Sequence, residues 1–211
     1  MKNLFISFTF IFVTLALQAQ NTYEKAMQEA FSLLSKAQSM TDLQKVANQF
    51  EMIGKNAPKE WHPNYYASFT YARMSYQEED LAKKDIYVEK ALKIWESISE
   101  KNDEIYVLRA FIAQASMAVD GQARWQTQGA IFEEYVEKAS KINVNNPRIY
   151  YMQGTRLYHT PKMFGGGAKT AMPHFEKAKT LFESFTPAST FAPKWGKNEN
   201  TKYLDLCKNS Q

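Results

Sequence analysis

The sequence predicts an all-α protein built as a stack of antiparallel helix pairs. A five-residue motif, Tyr-Val-Glu-Lys-Ala, begins at Tyr87 and again at Tyr135, and a weaker copy, His-Phe-Glu-Lys-Ala, begins at His174. Each copy lies within an apolar pattern of helical period. No alternating β-branched run bounded by turn residues is present, so strands are not predicted. Internal repetition of this kind is typical of helical solenoids.

Apolar periodicity and turn signals predict four helix pairs and a final capping helix. Asp42 and Asn146 are candidate N-terminal signals of helices, and Asp103 is predicted to be an N-cap. Pro173 falls inside the predicted helix 168–185; alternatively it sits in the first turn, which would move that helix start to about residue 172. The predicted pairs are 22–38 with 41–55, 64–78 with 80–99, 103–119 with 126–142, and 147–158 with 168–185, followed by a helix near 198–208.

The first nineteen residues have the order of a secretory signal peptide. Lys2 supplies a positive charge, an apolar run extends from Leu4 to Leu17, and Ala19 is a small residue at a cleavage position. The apolar run is too short to span a bilayer comfortably. No cysteine directly follows this run, so no lipid anchor is expected. We therefore predict that residues 1–19 are removed and that 20–211 form one periplasmic or secreted domain.

Composition excludes several classes of protein. The chain has 211 residues, of which 45% are apolar and 23% charged, as in ordinary globular proteins. Loss of Lys2 with the signal peptide lowers the net charge of +4 by one, and the remaining charge is too dispersed to predict nucleic-acid binding. The single cysteine, Cys207, cannot form an internal disulfide. No stable membrane insertion is expected after cleavage.

One stretch resembles a tetratricopeptide repeat. Residues Pro147 to Tyr158 resemble the first helix of such a repeat, with Tyr150 four residues before Gly154, and Phe175 to Ala178 resemble the second helix. The units here exceed the family length of about 34 residues. The resemblance covers residues 60–185 well and 22–57 weakly. It implies a helical solenoid that binds proteins or peptides.

Two further resemblances suggest a bacterial envelope protein. The turn that contains Pro161, Phe164 and the following glycines is similar to a turn of the T component associated with TRAP-type transporters. The whole pattern, including Pro193 to Gly196, is similar to secreted repeat proteins of Bacteroidetes-like bacteria. The first resemblance implies a small-ligand accessory protein of a transport system.

No catalytic or metal-binding set can be assembled from the sequence. The glycines before Lys169 lack the adjacent Gly-Lys-Thr of a phosphate loop. The histidines His62, His159 and His174 have no partner at the spacing of a metal motif, and no Gly-x-Ser-x-Gly elbow is present. We therefore expect a protein that is not an enzyme, with no cofactor and no metal.

The concave wall formed by the first helices of the pairs is one candidate binding surface. Tyr and Arg side chains, which recur in binding hot spots, are frequent at its exposed positions. About half of these side chains are expected to pack against neighbouring helices instead. The candidate residues of the wall are Tyr66, Arg73, Tyr76, Phe111, Arg148, Tyr151 and Tyr158.

A second candidate surface is one edge of the stack, where long turns are predicted at 119–127 and 159–168. Insertions along one face of a solenoid often form its binding face, and large exposed apolar side chains there would need a partner. Alternatively, Trp125 and Phe164 tuck under their own loops. The candidate residues of the edge are Arg124, Trp125, His159, Met163, Phe164, Gly165 and Gly166.

These observations predict a periplasmic or secreted binding or adaptor protein that holds a protein or peptide. The alternative is a small-ligand protein of the transporter-accessory kind. A groove of Tyr and Arg with open ends favours the first hypothesis, and a closed pocket would favour the second.

The signal peptide leads to a prediction about processing. Mass spectrometry of the exported protein should show a chain that begins at Gln20, within a residue or two, because Ala19 occupies the cleavage position. Membrane-bound material that retains Met1 would contradict the prediction.

Overall fold

The computed structural model describes residues 20–210, and all regular secondary structure in that range is helical. The all-α class is confirmed. Residues 1–19, on which the signal-peptide prediction rests, lie outside the described part. The helices are α1 (20–36), α2 (Met40–Asn56), α3 (Trp61–Gln77), α4 (Leu81–Glu96), α5 (Asp103–Val119), α6 (Gly121–Ile142), α7 (Pro147–His159), α8 (Ala168–Ser184) and α9 (Lys197–Asn209), with a 3-10 turn at Lys162–Phe164.

Helices that are consecutive in sequence pack side by side. Helix α2 packs on α3, α3 on α4, α5 on α6, and α7 on α8, while α9 packs on α8. The odd-numbered helices α3, α5 and α7 also contact one another in that order. They therefore form an inner row of the stack, and the residues expected on the concave wall belong to this row.

Polar side chains fix where the helices begin. Ser39 and Asp42 form a capping box at the start of α2. Asn102 caps α5 through the backbone N–H of Ile105, and Asn146 caps α7 through that of Arg148. The helix-start signals at Asp42 and Asn146 are confirmed, whereas the N-cap predicted at Asp103 is wrong, because Asn102 caps α5 and Asp103 is the first residue of the helix.

One predicted boundary and one alternative are wrong. The turn predicted at 119–127 consists of Asp120 alone, because its side chain accepts from the N–H of Ala123 and starts α6 at Gly121. Helix α8 begins at the predicted Ala168, so the alternative start near residue 172 is wrong, and Pro173 lies inside the helix, where it cannot donate a backbone hydrogen bond. The long turn predicted at 159–168 is confirmed by the ends of α7 and α8.

Small residues form the seam between paired helices. The alanines of the repeated motif, Ala91, Ala139 and Ala178, are completely buried. At Gly154, an added Cβ atom would lie 2.6 Å from the ring of Phe175. Only glycine allows α7 and α8 to approach so closely, because a side chain at position 154 would overlap the ring of Phe175, the large residue opposite it.

The seam predicts the effect of a larger residue. Replacement of Ala139 by Leu should lower the free energy of unfolding by about 1–3 kcal/mol, because the added atoms have no space. Chemical denaturation measures the change. The matched control is Ala130→Leu on the exposed face of the same helix, which should leave the midpoint nearly unchanged. An unaltered midpoint for Ala139→Leu would contradict the packing.

Candidate binding site

An open groove lies between α1, α3 and the segment that connects α8 to α9. We call this segment, residues 185–196, the connector. The groove encloses about 540 Å³, which is within the usual range for small-molecule sites. Its lining residues are Gln28, Phe31, Leu34, Ser35, Tyr66, Phe69, Arg73, Thr190, Phe191, Ala192, Lys194 and Trp195.

Two pairs of stacked rings line the groove. Phe191 of the connector stacks on Phe31 of α1, with ring centroids 5.9 Å apart and planes 13° from parallel. Trp195 stacks on Phe69 of α3, with centroids 4.9 Å apart and planes at 22°. Tyr66 meets Phe31 edge to face at 4.6 Å. The connector thus contributes one ring to each stack, and the helices contribute the other.

Two cationic side chains stand in this aromatic surface without an ion pair to any described carboxylate. The guanidinium carbon of Arg73 lies 5.8 Å from the ring centroid of Phe69. Burial lowers the pKa of Arg73, and the charge of Glu199 acts in the opposite direction. Lys194 is exposed at the rim. Within residues 20–210, neither Arg73 nor Lys194 forms an ion pair, so both can meet an anionic group.

A buried arginine holds the connector in place. Arg148 has 0% of its surface exposed, and its guanidinium donates to Glu104 Oε1 at 2.9 Å and to the carbonyl oxygen of Pro193. The rings of Phe185 and Trp195 lie 4.6 and 5.5 Å from its guanidinium carbon. Charge, hydrogen bonds and ring contacts therefore all converge on one side chain beneath the connector.

The carboxylate opposite Arg148 is held by further polar groups. Asn146 donates to Glu104 Oε1 at 3.0 Å and to Asp103 Oδ2 at 2.9 Å. Burial raises the pKa of Glu104 to about 7, with Arg148 opposing the shift and Asp103 adding to it. Of the two Glu104 oxygens, Oε2 has no hydrogen-bond partner. The ion pair is therefore costly to bury.

The expected position of Arg148 on the concave wall is wrong. The sequence register placed its side chain toward solvent, but the structure places it in the core between α5 and the connector. Its two acceptors, a glutamate on another helix and a backbone carbonyl far along the chain, cannot be found from helical periodicity.

The other predicted wall residues lie close together. Tyr66 and Arg73 line the groove itself. Phe111 and Tyr151 continue the aromatic surface from Trp195, at centroid distances of 5.7 and 6.1 Å. Tyr76 meets Phe111 at 5.6 Å, and Tyr158 meets Tyr203 of α9 at 5.2 Å. These six residues therefore belong to one aromatic surface that extends across α3, α5, α7 and α9.

The predicted edge residues lie apart from the groove. Trp125, Met163 and Phe164 are 62%, 83% and 71% exposed, so the alternative that Trp125 and Phe164 tuck under their loops is wrong. Arg124 pairs with Asp85 of α4, with Nη2 2.8 Å from Oδ2. The structure thus gives these residues no part in the groove.

The remaining edge residues are held within local structure. His159 Nε2 lies 2.8 Å from the hydroxyl of Tyr203. Gly165 has a left-handed backbone, and Gly166 is buried against Thr160.

Sequence reasoning missed the half of the groove that the connector supplies. Phe191, Lys194 and Trp195 lie in a segment with no helical period, and Phe31 belongs to the weakly matched first helix. A usable signal was present. Two large aromatic residues flanking Pro193 in a segment too short for a helix indicate a loop that packs on the core.

Residues 20–210 hold neither a cluster of metal ligands nor a helix that could span a membrane. None of the described histidine, cysteine, aspartate and glutamate side chains form a group of three or more that could hold a metal ion. Nor is any helix in this range long and apolar enough to cross a membrane.

A stack of helices that shapes an aromatic groove, with unpaired cations beside the rings, is the architecture of a binding protein. A comparison with solved structures supports this class. The fold is similar to that of the HusA haemophore from Porphyromonas gingivalis, with a TM-score of 0.77 and 29% sequence identity over 90% of this chain and 94% of that one. No protein-family model and no curated protein matches the sequence. The likeness favours a binding role over catalysis.

The buried pair predicts a pH dependence of stability. The pKa of Glu104 is higher in the folded chain, at about 7, than the ordinary value of 4.5. The folded state therefore holds this proton more tightly. The resulting stabilisation, on the order of 3 kcal/mol, is full below about pH 4.5 and is lost as the pH rises to about 7.

Urea denaturation between pH 4 and 8 measures this effect. Glu104→Gln should remove the decline in the free energy of unfolding with rising pH, and the exposed control Glu29→Gln should retain that decline. The explanation fails if wild type and Glu104→Gln lose stability in parallel.

Proposed function

We propose that this protein is a periplasmic or secreted binding protein that holds a porphyrin, such as haem, in the aromatic groove. The observation that carries the proposal is the combination of two ring stacks with two unpaired cations in one open groove. A porphyrin is a flat apolar ring with carboxylate groups at one edge, so it matches both features. The likeness to a haemophore supports the same class of ligand.

The ring stacks suit a flat ligand. Phe31 with Phe191, and Phe69 with Trp195, present apolar rings to the same opening. Aromatic pairs add to the free energy of burial beyond their area. A flexible polar chain would gain less from such a surface, because its backbone groups would lose water without finding partners. The groove therefore favours the small-ligand hypothesis over the peptide hypothesis.

The cations suit the carboxylates of the ligand. Arg73 is half-buried and unpaired, and a guanidinium in that setting gains strongly from a carboxylate that it can bind through two N–H groups. Lys194 at the rim adds a second positive charge. Because both lie on the groove surface, they would fix one edge of the ring while the aromatic side chains contact its face.

The groove lining favours recognition of the ring over recognition of iron. Among residues 20–210, it contains no histidine, cysteine or methionine, the side chains that most often bind haem iron together with tyrosine. Burial raises the pKa of the Tyr66 hydroxyl well above its usual range, which disfavours a phenolate ligand. His62 is not among the lining residues; its ring centroid lies 6.3 Å from that of Phe191, and its Nε2 lies 3.1 Å from Ser189 Oγ.

We also propose that the helix pairs are repeats of the tetratricopeptide type. The contact of Gly154 with Phe175 and the buried alanines of the motif support this relationship. On this view, the long turns and the connector are additions to a repeat scaffold, and the ligand site arises where the connector meets the inner helices.

Titration of the mature chain with haem, followed by absorbance, tests the role of the cations. The double variant Arg73→Gln/Lys194→Gln should bind haem at least tenfold more weakly, because each lost charge-assisted hydrogen bond is worth about 1.5–3 kcal/mol. The matched control Lys162→Gln/Lys169→Gln removes two exposed charges away from the groove and should bind as wild type does. Equal weakening in both variants would show that net charge, and not the position of these two cations, explains the weaker binding.

A second titration with metal-free protoporphyrin tests the role of iron. Its dissociation constant should lie within about tenfold of that for haem, because the lining offers the ring and carboxylates most of the contacts. His62→Ala should change neither value by more than a few fold. If His62→Ala abolishes binding of haem but not of metal-free protoporphyrin, coordination of iron replaces ring recognition as the basis of binding.

A further inference from the structure

The turn between α7 and α8 presents two large apolar side chains to water. We call residues 160–169 the tip. Met163 and Phe164, in its 3-10 turn, are 83% and 71% exposed. These are the most exposed of the large apolar side chains among the described residues. Isolated exposed apolar residues are common, but adjacent ones at this level of exposure point to a partner.

The backbone of the tip is fixed by its own hydrogen bonds. The backbone N–H groups of its three glycines donate to backbone carbonyl oxygens: Gly165 to Lys162 at 3.0 Å, Gly166 to Pro161 at 3.2 Å and Gly167 to Leu157 at 2.9 Å. Gly165 and Gly167 have φ angles of 82° and 97°, which other residues rarely adopt. The outward position of Met163 and Phe164 is therefore part of an ordered turn.

Close packing at Gly166 reinforces this order. A Cβ atom there would lie 2.1 Å from the carbonyl oxygen of Thr160. The chain thus uses consecutive glycines to build a turn whose apolar side chains point away from the core.

The charge of the tip is positive. Lys162 and Lys169 are exposed and form no ion pair within the described chain. From His159 to Phe175 the sequence contains no aspartate or glutamate. Cations that flank protruding apolar residues are typical of segments that contact anionic lipid surfaces.

Trp125 of α6 lies on the same edge. It precedes Gly129 by one helical turn, and the Cβ position of Gly129 is 3.9 Å from the guanidinium of Arg156 near the end of α7. Tryptophan is enriched at the level of lipid headgroups. With 62% of its surface exposed, Trp125 adds a further large apolar side chain to this edge.

We propose that the tip docks on a membrane surface with anionic lipids, with Met163 and Phe164 in the interfacial region and Lys162 and Lys169 against headgroup phosphates. A projecting turn suits a deformable lipid surface, whereas a protein partner would need a matching recess. No residue of the tip lines the groove, so the groove stays open to ligand while the protein is docked. This proposal is independent of the ligand in the groove.

Sedimentation of the mature chain with vesicles tests the proposal. Wild-type protein should bind vesicles of phosphatidylglycerol and phosphatidylcholine, and binding should fall several-fold on pure phosphatidylcholine and at high salt. Met163→Ser/Phe164→Ser should weaken binding at least tenfold. Lys162→Gln/Lys169→Gln should lower binding to the anionic vesicles only. Circular dichroism checks that each variant is folded.

The matched control lies in the turn between α6 and α7, at the other ends of these helices. Ile142 and Val144 are 52% and 55% exposed, so Ile142→Ser/Val144→Ser removes similar apolar surface outside the tip. This variant should bind vesicles as wild type does. The proposal is overturned if wild-type protein does not bind anionic vesicles, or if both double-serine variants lose binding equally. If wild-type protein does not bind vesicles but self-associates, and Met163→Ser/Phe164→Ser abolishes that self-association, the tip is a protein contact instead.

Discussion

The contact between the Arg148 guanidinium and the carbonyl oxygen of Pro193 determines where the connector lies. A fully buried arginine needs a counter-charge and hydrogen-bond acceptors, and Glu104 and Pro193 supply them to its two terminal nitrogens. The surrounding rings of Phe185 and Trp195 keep water out. Because one acceptor is on α5 and the other on the connector, satisfying this single charge also docks the connector on the inner helices.

The groove follows from that docking. Phe191 and Trp195 reach their partners on α1 and α3 only because the connector is held across the inner face of the stack. Trp195 is fixed further by its indole N–H, which donates to the hydroxyl of Tyr65 at 2.8 Å. A polar interaction in the core thus positions the aromatic rings at the opening of the groove. Loss of the Arg148 contacts would therefore also disturb the ring stacks.

The parts of the fold that could be predicted are those that local sequence determines. Helical period and the repeated motif revealed the helix pairs and the buried alanines, because both depend on spacing along one chain segment. The connector and the role of Arg148 depend on contacts between distant residues, for which a single sequence carries no periodic signal. The turn predicted at 119–127 was wrong because Asp120 alone both ends α5 and caps α6, so that no further turn residues were needed.

The groove also joins early and late segments of the described chain. Phe31 belongs to the first described helix, whereas Phe191 belongs to the segment before the last one. A chain that is still emerging from synthesis or export has one wall of the groove without the other, so it cannot hold ligand in this way. Occupancy therefore becomes linked to completion of folding, and a bound ligand would stabilise the early and late helices together by mass action. Ligand binding of the proposed kind would therefore act as a check that the segment from Gln28 to Trp195 has folded as one unit.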